Sequence, residues 1–184
     1  TSDFKFTIST WIYVDDPTPA ENKFLVSTIR YHDGYSGIAM MLHTLGRIYV
    51  NIWRGVQGQA VISYLAPTGQ KPIHVGWNHI LWTHDQSLSE DNTIVYINGI
   101  KTGIRTKSAY TPSTANSYSP LRFGVDGQTN YDFIGKMDEV AIWNRSLSES
   151  EARAIYEKGI AIDTSKYSNN GSSYGPLQTN GHYE

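Results

Sequence analysis

The chain has 184 residues, 39% of them hydrophobic and 12% aromatic, which is enough for one sandwich-sized domain and too little for two full ones. Its net charge of -2 supplies no basic field for phosphate backbones or anionic lipids, so we expect neither a nucleic-acid partner nor membrane insertion. The absence of cysteine excludes disulfide bonds and thiolate metal sites.

Alternation of apolar and polar side chains with a period of two residues dominates the chain and predicts β-strands. The strands are predicted, in chain order, over residues 6–14, 24–30, 38–42, 47–53, 60–65, 77–83, 93–97, 121–125 and 133–143. Asn98-Gly99 predicts a type I′ hairpin, because this dipeptide adopts the two positive φ angles that such a turn requires. Short strands with no helices between them predict an all-β fold, an antiparallel two-sheet sandwich of the jelly-roll kind.

One segment near the end of this pattern is predicted to be helical. Ser148 and Glu151 form a capping box, and Ala152, Ile155 and Tyr156 then supply an apolar stripe. Gly159 offers a stop signal, so we expect a helix of about three turns at most. The sandwich with this helix is assigned to residues 1–160.

Four segments, in the order 6–12, 77–83, 95–99 and 133–148, resemble the strand and hairpin motifs of laminin-G-like domains in the concanavalin A-like superfamily. The last reads Phe-Ile-Gly-Lys-Met-Asp-Glu-Val-Ala-Ile-Trp-Asn-Arg-Ser-Leu-Ser and is similar to the signature F-x-G-x-I-D-E-V-x-I-Y-N-R-A-L-S, which ends these domains before a short helix. Pentraxins share this final strand and helix more loosely. The resemblance implies a concanavalin A-like sandwich that binds a ligand at its loop rims.

Residues 161–184 are rich in Ser, Asn, Gly and Tyr and are predicted to be a polar tail, or the first-strand segment of this or a neighbouring unit. Domains of this type usually have a strand before the motif at 6–12. In this chain only three residues precede Phe4, the first apolar residue. Residues 163–171 are similar to the stretch that leads into that strand. We hypothesise that residues 182–184, His-Tyr-Glu, approach its position.

A calcium site is the first candidate for function. Residues 126–132 carry several carboxylate and amide oxygens at a spacing that calcium accepts, although such turns also form without an ion because Asn and Asp cap their own backbone. The pentraxin resemblance implies calcium ligands at Asp33, Asp126, Gln128 and Asn130. Resemblance to laminarinase-like enzymes adds Asp138 as a ligand of a structural calcium ion, the alternative being an ordinary strand carboxylate.

Aromatic faces that stack on sugar rings, with polar groups that fix the hydroxyls, are the second candidate. The residues chosen as glycan contacts lie at turns and strand ends, and they are Tyr31, His32, Tyr35, Trp53, Arg54 and Tyr131. Trp11, Trp82 and Trp143 lie inside alternating strands, where burial is expected.

No catalytic constellation is found in the sequence. The E-x-D-x-E strand of sandwich glucanases is missing, as is a histidine pair of the H-E-x-x-H type. We therefore expect a non-catalytic carbohydrate-binding or adhesion module with a glycan partner. The alternatives are a structural or assembly subunit of a virus particle or surface structure, with protein contacts or homo-oligomers through residues 163–184, and, third, a glycoside-acting enzyme.

The sequence also carries expectations about where the protein is located. No apolar run approaches the ~18 residues of a membrane-spanning helix, and residues 1–14 alternate where a signal peptide would have an apolar core. We expect a soluble chain that is already processed or excised. The resemblance implies an extracellular, cell-surface or virion location.

Overall fold

The structure, a computed structural model, describes residues 4–29, 36–54, 60–65, 73–88, 92–105, 120–125 and 131–170. In chain order these residues form β1 (Lys5–Val14), β2 (Lys23–Ser27), β3 (Ser36–His43), β4 (Arg47–Arg54), β5 (Ala60–Leu65), β6 (Gly76–Asp85), β7 (Thr93–Ile97), β8 (Ile100–Arg105), β9 (Arg122–Phe123), β10 (Lys136–Trp143) and α1 (Glu149–Asn170).

The strands form two five-stranded sheets. Sheet A has the order β10-β1-β6-β7-β8, and sheet B has the order β5-β4-β3-β2-β9. Neighbouring strands are antiparallel in both sheets. The predicted all-β sandwich is confirmed, and within the described ranges the strands follow one another without helices between them.

Alternation along the strands places the core between the two sheets. Ile8 and Ile12 of β1 pack in one cluster with Met40 and Leu42 of β3, and Trp82 of β6 lies among them, fully buried. Full burial of one aliphatic side chain of this size contributes about 1.5–3 kcal/mol, so this cluster supplies much of the stability that the chain must obtain without disulfide bonds.

A second apolar cluster lies on the outer face of sheet A, beneath α1. Leu147 and Ala152 pack there against Leu81 of β6 and Tyr96 of β7. The capping box forms as predicted, since Ser148 Oγ accepts a hydrogen bond from the Glu151 amide (3.3 Å) and Glu151 Oε2 accepts one from the Ser148 amide (2.8 Å). Helix α1 is therefore fixed to the sheet from its first turn.

The predicted helix end at Gly159 is wrong, because α1 continues to Asn170. A Cβ atom added to Gly159 would lie 2.7 Å from Cζ2 of Trp11, closer than real side chains approach. Gly99 faces the helix in the same way, since its added Cβ would lie 2.5 Å from Cδ1 of Tyr156. Both glycines allow a close approach of helix and sheet, which explains why Gly159 stands inside α1 without ending it.

The tryptophans expected to be buried take different positions. Trp82 belongs to the core between the sheets, whereas Trp11 is buried on the outer face, where its ring stacks on Tyr156. Trp143 is half-buried beside the cluster under α1. Trp11 and Trp82 are therefore buried as the alternation predicts, and the helix provides a second apolar environment outside the core between the sheets.

Three strands are shorter in the structure than predicted. β2 ends at Ser27, because the Ser27 side chain accepts a hydrogen bond from the Ile29 amide (3.1 Å) and turns the chain. β9 has only two residues, and β10 begins at Lys136 where residue 133 was expected. The hairpin after β7 is confirmed, with φ angles of 52° at Asn98 and 75° at Gly99.

In the part of the chain that the structure describes, no helix has both the length and the apolar character needed to cross a bilayer. Residues 182–184, for which we hypothesised a first-strand position, lie outside the described residues.

Candidate functional site

The two ends of the sandwich can be defined by the register of the strands. At the Arg54 end, β4 finishes at Arg54, β3 begins opposite it at Ser36, and β5 begins at Ala60 beside Trp53. At the Tyr13 end, β1 finishes while β10 and β6 begin, with Tyr13 paired to Lys136 on one side and to Trp77 on the other.

The Arg54 end gathers the anchors of most predicted glycan contacts. Trp53 pairs with Gly37 and Arg54 with Ser36, so both residues stand beside the point where the segment 30–35 enters β3. The other end of that segment is attached at Thr28, whose amide donates to the Ile38 carbonyl (2.9 Å). Tyr31, His32, Asp33 and Tyr35 themselves lie outside the described residues, and only the backbone of Trp53 and Arg54 is described.

Tyr131 belongs to the Tyr13 end. Its carbonyl accepts a hydrogen bond from the Phe24 amide (2.9 Å) at the beginning of β2, and its side chain is 40% exposed. Gly124 donates to the Leu25 carbonyl (2.9 Å), so the segment 126–130 leaves and rejoins the described structure beside the start of β2. Asp126, Gln128 and Asn130 lie outside the described residues.

These attachments bear on the predicted calcium site. The segment 30–35 is attached near Thr28, and the segment 126–130 is attached near Phe24, four residues away along the same extended chain. At about 3.3 Å per residue the two attachments are separated by about 13 Å. An ion shared by Asp33 and Asp126 would require the two segments to span that distance between them.

Asp138 lies in β10 opposite Trp11. Its carboxylate accepts a hydrogen bond from the Glu139 amide (3.2 Å), and burial is the main cause that raises its pKa above the usual value. A bulge follows, in which Glu139 has a φ of 49°, so the simple alternation of side chains along β10 stops at this residue. Among the described residues, no group of three or more His, Asp or Glu side chains is arranged to hold a metal ion.

Two histidines of sheet A are buried and held neutral. Burial lowers the pKa of His79 to about 4, and the same cause lowers the pKa of His84 to about 4. Nε2 of His79 lies 2.7 Å from Ser9 Oγ, and Nδ1 of His84 lies 2.9 Å from Thr93 Oγ1. Both rings sit among packed side chains, so they act in the fold of the sheet.

A partly exposed aromatic pair at the Tyr13 end was missed by the sequence reasoning. The rings of Tyr13 and Trp77 meet edge to face with centroids 5.6 Å apart, and Nζ of Lys136 lies 5.3 Å from the Tyr13 centroid. We had treated aromatics within alternating strands as core. Their position in the predicted strands could have indicated this pair. Tyr13 lies near the end of the strand predicted over 6–14, and Trp77 begins the strand predicted over 77–83.

Comparisons with known proteins agree with the described architecture. A family model described as concanavalin A-like lectin/glucanases superfamily matches residues 1–153. No curated protein sequence matches the chain.

Several solved structures share the fold. The chain is similar to the CBM40 of the Ruminococcus gnavus IT-sialidase (13% identity, 83% of this chain and 82% of that chain, TM-score 0.63). It is similar to a heptameric SAP-like pentraxin from Limulus polyphemus (12% identity, 84% and 70%, TM-score 0.55). It also covers 24% of the NanB sialidase from Streptococcus pneumoniae, with 83% of this chain aligned at 19% identity and a TM-score of 0.66.

The sequence identities to these structures are low, so the structural similarity establishes the fold alone. The family match covers most of the chain and includes the motifs at 6–12 and 133–148, which confirms the resemblance drawn from those motifs. The chain belongs to the concanavalin A-like lectin/glucanases superfamily.

Proposed function

We propose that this chain is a non-catalytic carbohydrate-binding module that recognises a glycan at the Arg54 end of the sandwich. The observation that carries the proposal is the pairing of Ser36 with Arg54 and of Gly37 with Trp53, which attaches the aromatic-rich segment 30–35 beside Trp53 and Arg54. Aromatic residues and an arginine at one end of a sandwich suit a pyranose, because a ring face can stack on the sugar and a guanidinium group can donate to hydroxyl or carboxylate oxygens.

The structural relatives support this function in general terms. The CBM40 of the Ruminococcus gnavus sialidase has been solved bound to α2,3-sialyllactose, and it shares the fold over 84% of this chain. The lack of an E-x-D-x-E strand in the sequence supports a binding role over glycoside hydrolysis. A reducing-end assay on mixed polysaccharides tests the enzymatic alternative, and sustained release of reducing ends would overturn the non-catalytic assignment.

The test of binding is a glycan array followed by calorimetry on the best ligand. We expect Trp53→Ala to weaken binding by about tenfold, as loss of one stacked aromatic does. Leu45→Ser is the matched control, because Leu45 is an exposed apolar residue in the turn at the opposite end of the same two strands, β3 and β4. A folded chain that binds no glycan on the array would refute the proposal.

Calcium assistance is a separate part of the proposal. Asp126, Gln128 and Asn130 supply the oxygen ligands that calcium prefers, in a segment attached to the sheet at both of its ends. Calorimetric titration with calcium measures the site directly. We expect Asp126→Asn to abolish the heat of binding and Asp138→Asn to leave it unchanged, so an unaltered titration in Asp126→Asn would exclude this segment as the ligand set.

An assembly role is the second candidate, favoured by the apolar surface where the two sheets meet at β9 and β10. Ile142 is paired with the core residue Ile8 and yet is 48% exposed, and Val140 of β10 and Leu121 and Phe123 at β9 are also exposed. We propose that a second copy of the chain covers this surface in such an assembly. A monomeric mass by light scattering at high concentration, unchanged in Ile142→Ser and after deletion of residues 171–184, would remove this candidate.

The proposed location is outside the cell, at a cell surface or on a virus particle, where glycan ligands are presented. Surface labelling of the intact source cell or particle with an antibody against the chain tests it.

A further inference from the structure

The Tyr13 end of sheet A carries a row of three side chains on three neighbouring strands. Lys136 of β10 and Trp77 of β6 are both paired with Tyr13 of β1. Strands in a sheet lie about 4.8 Å apart, so the row spans about 10 Å between its outer Cα atoms, the width of one to two sugar rings.

This row is accessible to a ligand. Tyr13 and Trp77 are both partly exposed and Lys136 is exposed, in contrast to the buried Trp11 two residues earlier on β1. Two apolar residues flank the row and are largely exposed: Val75, 61% exposed, next to the start of β6, and Ile134, 81% exposed, just before β10. Aromatic rings framed by exposed aliphatic side chains form a surface on which the apolar face of a pyranose can stack.

Lys136 gives this row a positive charge. Among the described residues no carboxylate forms an ion pair with Lys136, whose ammonium group lies over the Tyr13 ring. The acidic residue nearest to Lys136 along β10 is Asp138. The pKa of Asp138 is raised, mainly by burial, whereas a neighbouring ammonium group would lower it. Asp16, in the turn after β1, accepts hydrogen bonds from the amide and hydroxyl of Thr18 (2.8 and 3.2 Å).

We propose that Tyr13, Trp77 and Lys136 form a second glycan subsite, which binds a pyranose that carries a carboxylate. The sugar face stacks on the Trp77 ring and its edge contacts the Tyr13 ring, which lies at 74° to Trp77, and the carboxylate accepts hydrogen bonds from the Lys136 ammonium. A neutral pyranose would use only the stacking surface, so the charge of Lys136 sets the preference for an acidic sugar.

This subsite rests on the proposed carbohydrate-binding function and is distinct from the Arg54 end. Two subsites at opposite ends of one domain allow it to join two glycan chains, or two places on one long chain, with an avidity greater than either subsite alone.

The experiment compares acidic sugars with matched neutral ones. Oligogalacturonides are titrated against their methyl esters, and α2,3-sialyllactose against lactose, by calorimetry at low salt. We expect at least one acidic sugar to bind about fivefold more tightly than its neutral counterpart. Lys136→Met keeps the length of the side chain and should abolish that difference, whereas Trp77→Ala should weaken both sugars by about tenfold.

A spectroscopic readout locates the ligand without relying on loss of binding. The five tryptophans give separate indole N–H signals in a ¹⁵N spectrum. The Trp77→Phe variant assigns the Trp77 signal by its disappearance, and that signal should move during titration with the acidic sugar. Lys158→Met is the matched control: it removes the same charge from an exposed position of α1 that belongs to neither subsite, so both the affinity and the acidic preference should persist. Thermal unfolding verifies that each variant is folded.

The outcomes separate the two proposals. Glycan binding that is unchanged in Lys136→Met and Trp77→Ala, with no shift of the Trp77 signal, would overturn this inference and leave the proposed function intact. Equal affinity for acid and ester with loss in Trp77→Ala would overturn the assignment of an acidic ligand. If no glycan binds to the folded chain at all, the proposed function fails.

Discussion

Nε2 of His79 lies 2.7 Å from Oγ of Ser9, and the imidazole ring contacts both Trp11 and Tyr156, with centroid distances of 5.1 and 5.9 Å. Within the described structure the other ring nitrogen, Nδ1, is buried without a hydrogen-bond partner. The imidazole therefore joins β1 and β6 to α1 as a neutral group, and a proton on it would be poorly solvated.

Acid should destabilise the domain through this histidine. Burial lowers the pKa of His79 in the folded state to about 4, below its usual 6.5, so between these values the unfolded chain binds a proton that the folded chain does not. Stability is then complete above pH 6.5 and falls as pH decreases towards 4. We expect a loss of about 2 kcal/mol per such histidine between pH 7 and pH 5.

Urea unfolding at a series of pH values measures this effect. His79→Gln should reduce the pH dependence between 7 and 5, and His84→Gln should reduce it similarly because the pKa of His84 is also lowered to about 4, mainly by burial. His74→Gln, at an exposed histidine, is the control. An unchanged slope in His79→Gln would show that His79 is not the titrating group.

Gly159→Ala tests the contact between α1 and sheet A. Alanine favours an isolated helix over glycine by about 1 kcal/mol, whereas an atom forced against packed neighbours costs about 1–3 kcal/mol. The Cβ of alanine would lie 2.7 Å from the rigid indole of Trp11, so we expect the steric cost to dominate and the free energy of unfolding to decrease. Lys158→Ala, at an exposed helical position, should change it little. A stabilised Gly159→Ala variant would contradict the docked position of the helix.

Ser148→Ala removes the cap of α1. Ser148 Oγ accepts a hydrogen bond from the Glu151 amide, and the Ser148 amide donates to the Glu151 carboxylate. We expect a loss of about 1 kcal/mol in the free energy of unfolding. Lys158→Ala, at an exposed position of the same helix that takes no part in the cap, is the control, and an equal loss in that variant would show that helix capping is not the cause.

Asn51→Leu should stabilise the domain. Asn51 is buried in β4, and its Oδ1 atom has no hydrogen-bond partner among the described residues, so its desolvation is uncompensated. Leucine has nearly the same shape without the polar group, and we expect a gain of about 1 kcal/mol. Asn78→Leu is the contrast, because Asn78 accepts from the His74 amide (3.1 Å) and donates to the His74 carbonyl (2.7 Å), and that variant should lose stability. Destabilisation of Asn51→Leu would indicate a partner for Oδ1.

Local patterns in the sequence determined the strands and the turns. The predicted strand over 93–97 agrees with β7, and the Asn98-Gly99 hairpin follows from the φ angles that these two residues accept. The capping box of Ser148 and Glu151 was predictable for the same reason, since each partner lies within one turn of the other. Such features depend on neighbours in the chain, and the sequence contains them directly.

Positions that depend on distant contacts were decided by the tertiary structure alone. Gly159 has the sequence of a helix stop, and only the Trp11 ring, brought against it by the docking of α1 on sheet A, shows that its small size allows packing. Tyr13 and Trp77 have the alternation of core residues, and only their register with Lys136 at the end of sheet A shows that they form a surface row. Alternation assigns a side chain to a face of a strand, but what covers that face is determined by elements far away in the chain.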